Sequence, residues 1–147
     1  MSKHEEADLI LKLYDLRREA AMREARSWFL RDFNPRSVED VNDALFGERS
    51  AHVRMVWSYW DMAAALVNSG AISADLFNET NAEHIAVYAR MEPLLPELRA
   101  AFGPQMLANL EKLIENTKGA RDRVQQTRER WKSIRAELER RSVVGAR

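Results

Sequence analysis

Arg54, Ser58 and Asp61 stand four and three residues apart, which brings a guanidinium, a hydroxyl and a carboxylate onto one stripe of an α-helix. A carboxylate desolvated beside tryptophan rings has a raised pKa, a state suited to proton transfer or ligand recognition. Trp57 and Trp60 adjoin the stripe. Arg54, Trp57, Ser58, Trp60 and Asp61 therefore form the candidate ligand-binding set, and the two tryptophans could frame a cation between them. The structural alternative is a polar network with a neighbouring helix, because buried charge has to be paired. One carboxylate without a second positioned acid, base or nucleophile does not define an enzyme, so no catalytic residue is assigned.

Other routes to chemistry are closed by composition and spacing. The chain has no cysteine, which excludes disulfides, thiolate metal sites and thiol nucleophiles. Its histidines are His4, His52 and His84. Glu48 precedes His52 by one turn and Glu83 adjoins His84, but the paired Glu-x-x-His motifs of bundle metal sites do not occur, and no metal is expected. The five glycines are scattered, and they build neither a dinucleotide fingerprint, a phosphate-binding loop nor a nucleophile elbow. No cofactor is expected.

The element that must carry the polar stripe runs from His52 to Ser69. Val53, Val56, Trp57, Trp60, Ala63, Ala64 and Val67 recur at helical spacing, and Met55, Tyr59, Met62 and Leu66 fill an adjoining face. A helix apolar on most sides belongs in the middle of a bundle. Ser2 is expected to cap a first helix reaching about Asp32, ended by Asn34-Pro35. Ser37 should cap a short helix with Val38, Val41 and Leu45 on one side, and Gly70 should end the central helix. Ser73 opens a further turn anchored by Ile72, Leu76 and Phe77, and Thr80-Asn81-Ala82-Glu83 reads as a capping box. Pro93 and Pro96 predict a kink or restart, and Gly103-Pro104 a stop followed by a start.

The final stretch predicts the longest helix. Leu110, Thr117, Val124, Trp131 and Leu138 repeat every seven residues, interleaved with Leu113, Ala120, Thr127 and Ile134. Residues 118–147 hold ten Lys or Arg against four acids, a balance of +6, so the electrically neutral chain carries −6 over residues 1–117. Val124, Thr127, Trp131, Ile134 and Leu138 are the candidate oligomer seam, where the basic end of one copy meets the acidic body of another. A solvated face with pairs such as Glu129–Lys132 and Glu137–Arg141 is the plainer reading. Nucleic-acid contact through the Arg121–Arg141 face is the remaining one, although no nucleic-acid-binding motif accompanies it.

The segment Trp57-Ser58-Tyr59-Trp60, with Ala64, Leu66-Val67, Gly70, Ile72 and Leu76-Phe77, resembles a bacterial all-helical family of unknown function over about residues 36–115. The resemblance implies a helical fold and no activity. Many proteins of that kind carry an N-terminal hydrophobic segment that tethers them to a membrane; MSKHEEADLI here is charged instead.

With 147 residues, 46% apolar and 31% charged, the sequence reads as one all-α domain, 1–147, with a bundle body over 1–117 and a basic helical extension over 118–147. About five helices are expected, the last with coiled-coil-like heptads. The expected role is a non-enzymatic interaction or assembly module, self-associating through its first and last helices or binding a protein partner. A nucleic-acid-associated protein and a small-ligand sensor or enzyme at the Arg54 stripe are the alternatives. No run of apolar residues is long enough to span a bilayer, and a cytoplasmic location is expected.

Overall fold

A computed structural model describes residues 2–145, and every described element is helical. Where about five helices are expected, the described residues form nine: α1 (Lys3–Arg18), α2 (Ala20–Arg31), α3 (Val38–Leu45), α4 (Ser50–Asn68), α5 (Ala74–Thr80), α6 (Glu83–Met91), α7 (Leu95–Phe102), α8 (Ala108–Asn116) and α9 (Ala120–Gly145). A 3-10 turn, Glu92–Leu94, joins α6 to α7.

Two of the extra helices come from breaks at places read as continuous, and the Ser73 turn and the proline restart supply the others as α5 and α7. The first helix divides at Glu19, whose extended backbone (ψ 141°) lets its own carboxylate accept from the Met22 amide and start α2. The last divides at Gly119, which takes a left-handed φ of 79° between α8 and α9. The seven-residue repeat from Leu110 to Leu138 therefore crosses a turn and belongs to two helices.

The expected punctuation otherwise holds. Ser2, Ser37 and Ser73 accept from the amides of Glu5, Asp40 and Leu76, each at 3.2 Å. Gly70 adopts φ 86°, and the Ala71 amide reaches back to the Leu66 carbonyl at 3.0 Å to close α4. The prolines give a restart: α6 gives way to the 3-10 turn and α7 begins at Leu95. The capping box does not form. Thr80 is the last residue of α5 and donates back to the Leu76 carbonyl at 2.8 Å, while Glu83 pairs with Arg26 through two bonds of 2.7 and 3.0 Å. A bidentate charged pair outcompetes a local cap.

Helix α4 lies at the centre, as its apolar circumference requires, with α2 and α8 as its principal neighbours and α3, α5 and α6 around them. Val53, Val56, Trp60, Ala63 and Ala64 are all but inaccessible, packed with Phe29, Ile72, Phe77, Tyr88, Leu98 and Leu110. The small Ala63 and Ala64 permit close approach of neighbouring backbones where larger side chains would hold them apart. Among the described residues no helix is long and apolar enough to cross a membrane.

Candidate functional site

The polar stripe of α4 faces outward and does not form a buried network. Arg54 and Ser58 are exposed and Asp61 is half-buried. The Arg54 guanidinium reaches only the Ser50 carbonyl, through Nε at 3.4 Å, and the Ser58 hydroxyl donates to the Met55 carbonyl within the same helix. Asp61 is committed to another element. Its two oxygens accept from the Leu110 amide at 3.0 Å and the Asn109 side-chain amide at 3.1 Å, where the first turn of α8 leaves donors unsatisfied. Helix α8 lacks a cap of its own: the residue before it is Leu107, in the left-handed region at φ 53°.

This stripe forms one wall of an open groove of about 690 Å³. Arg54, Met55, Trp57, Ser58 and Asp61 line it from α4; Phe102 lines it from the end of α7, and Gln105, Met106 and Leu107 from the α7–α8 connection. A second hollow, of about 350 Å³, shares Arg54, Trp57, Phe102 and Met106 and extends to Leu45 and Phe46. Four of the five residues singled out as ligand-binding thus meet at one surface. The fifth, Trp60, is buried away from it, edge-on to Tyr59 and near the His84 ring, so the two tryptophans do not frame a cation. The apolar contributions of Phe102, Met106 and Leu107 carried no sequence signal beyond hydrophobicity, because the turn that presents them depends on α8 being capped from α4.

The groove's carboxylate accepts one bond on each oxygen from donors at the start of α8, and its hydroxyl donates to a carbonyl of its own helix. Beside them lies an apolar floor of tryptophan, phenylalanine and methionine, next to a guanidinium without a carboxylate partner among the described residues.

Elsewhere the polar side chains fasten elements together. Glu92 accepts from Tyr88 at 2.8 Å, from Arg128 at 2.8 Å and from Arg121, joining α9 to the end of α6. Burial pushes the Glu92 carboxyl up, but the bonds from Arg128, Tyr88 and Arg121 outweigh it and hold the group below the usual range. The Tyr88 oxygen also lies 3.2 Å from Glu111, close enough to share its one proton between the two carboxylates, and Arg99 grips Glu111 from α7 at 3.1 and 3.3 Å. Burial and the adjacent Glu92 raise the Tyr88 phenol. Tyr59 donates to the Leu13 carbonyl and so ties α1 to α4, and burial pushes its phenol up to about 12.

The candidate seam is divided by this docking. Val124 is buried against the body, Thr127 and Trp131 are half-buried, and Ile134 and Leu138 are bare, at 49% and 61% exposure. Trp131 lies under the Arg90 guanidinium, 4.0 Å from ring centre to charge centre. Of the pairs expected on this helix, Glu137 binds Arg141 at 2.8 Å and also Arg140 at 2.7 Å, whereas Glu129 takes Gln125 in place of Lys132. Two arginines of the face considered for nucleic acid, Arg121 and Arg128, are occupied by Glu92.

The histidines do not converge. His52 faces Arg49 and Trp28, and His84 is enclosed between Trp60 and Phe77. Among the described residues no three His, Asp or Glu side chains are placed to hold a metal ion.

The fold defines an all-helical protein built around a central aromatic helix. The chain belongs to the family described as Domain of unknown function (DUF4760), whose profile matches residues 4–117. The match spans α1 to α8 and leaves α9 outside it. No curated protein and no solved structure matches the chain.

Proposed function

We propose that the protein is a non-enzymatic assembly module, a helical body over 1–117 that joins to a second copy through α9. The observation that supports this reading is the apolar stripe of α9, covered by its own body as far as Trp131 and bare at Ile134 and Leu138. Arg130 and Arg135 flank that bare stretch. The complementary surface is on α1, where Asp8, Leu11 and Asp15 share an outward stripe and Leu11 is 60% exposed. An apolar centre between two acids suits an apolar pair between two arginines. The +6 balance of the terminal segment against the −6 of the rest favours association in this sense.

Native mass spectrometry of the full chain and of an Ile134→Glu/Leu138→Glu double variant tests the proposal. The full chain should be a dimer or larger, and the variant should fall to monomer with an unchanged melting temperature. A monomeric full chain, or an assembly that the variant leaves intact, would overturn it.

A further inference from the structure

The groove between α4 and the α7–α8 connection carries a more specific reading, independent of how α9 behaves. Its volume of about 690 Å³ lies in the range that small ligands occupy. Trp57, Met55, Phe102 and Met106 supply an apolar bed, and the two thioethers can adjust to ligands of different shape. Phe102 is 49% exposed and Phe46, on the adjoining hollow, is 81% exposed. Two large aromatic rings left in water beside one groove are surfaces that an apolar ligand would cover.

Charge selects among such ligands. Arg54 is the one cation lining the groove, and among the described residues it has no carboxylate partner. Its Nε touches a carbonyl at 3.4 Å, which leaves both terminal nitrogens to offer parallel N–H donors. Among the described residues the only lining acid, Asp61, sits two turns further along α4 and engages both oxygens with Asn109 and Leu110. The left-handed Leu107 also lies in the lining, and backbone held in a sparsely populated region is over-represented at ligand clamps.

We propose that this groove binds an apolar monocarboxylate, alkyl or aryl, with the carboxylate on Arg54 and the apolar part over Trp57 between Met55, Phe102 and Met106. A neutral ligand would leave the guanidinium without its counter-charge, and a cation would be repelled by it.

The test is an amide-resolved NMR titration of the full-length chain with octanoate and 1-naphthoate, using octan-1-ol and octylamine as matched controls. Saturable shifts are expected at residues 51–61 and 102–107 and at the Trp57 indole N–H. Arg54→Gln, at an exposed position, should weaken octanoate about ten- to a hundredfold and leave octan-1-ol unchanged. Saturation by octanoate alone or by 1-naphthoate alone would fix the ligand as alkyl or aryl and support the proposal in that form. Equal affinity for acid and alcohol, tighter binding of the amine, saturable shifts elsewhere, or none at all would overturn it.

Discussion

His84 shows what a single side chain can impose on the behaviour of the whole chain. It is the second residue of α6, fully enclosed, with neither ring nitrogen meeting a polar partner among the described residues. Burial, with the Arg123 charge adding to it, lowers its pKa from 6.5 to about 3. The unfolded chain therefore takes up this proton first as the pH falls. The neutral imidazole's contribution is complete above about pH 6.5 and is lost progressively toward pH 3, by about 1.4 kcal/mol per pH unit. Urea unfolding at pH 7.5 and 5.5 should show a larger loss for the wild type than for His84→Leu, and equal losses would refute the assignment. The sequence placed a histidine beside a capping glutamate and nothing more. Its burial follows from Phe77 and Trp60, seven and twenty-four residues away, converging on it. Arg54 and Asp61 were legible as a stripe, but their partners were not, since a side chain's direction depends on which neighbour covers the helix.

At the scale of elements, most local signals held, the Thr80 capping box and the break at Glu19 apart, and long-range ones were invisible. Serine caps, the Gly70 stop and the proline restart each depend on a few neighbouring residues, and all three were readable from them. Glu83 with Arg26 spans 57 positions and Glu92 with Arg128 spans 36, and no spacing rule reaches that far. The start of α8 is the clearest case, because its cap is lent by α4. Asp61→Ala should cost about 1–2 kcal/mol in urea unfolding, the usual loss of a helix cap, and Asp61→Asn less, since one acceptor remains. An Ala variant as stable as the wild type would show that α8 does not depend on this carboxylate. The docking of α9 rests on Glu92 in the same way. Glu92→Gln should speed amide exchange over residues 120–131 by about tenfold and leave α4 unchanged; uniform acceleration or none would count against it.

For the molecule as a whole, two kinds of stability meet within α9: Ala120 and Val124 belong to the core, and the helix beyond Trp131 is largely exposed. Residues up to Thr117 share the core around α4 and coincide with the matched family region, whereas α9 touches the body through its first three turns and then runs clear of it. In an Ile134→Glu background, where the proposed seam is already broken, removing residues 136–147 should therefore leave the melting temperature unchanged, which calorimetry would check; a drop of several degrees would mean that the outer half of α9 supports the body. The heptad pattern foretold this helix but overstated its length, because an apolar repeat cannot distinguish one helix from two in register across a glycine. Trp131 adds an optical consequence. Of the four tryptophans it alone belongs to α9, and its ring is held against the Arg90 guanidinium. With Trp28, Trp57 and Trp60 replaced by phenylalanine, its emission would report directly on whether the terminal helix is seated, giving the molecule an intrinsic fluorescent gauge of that contact.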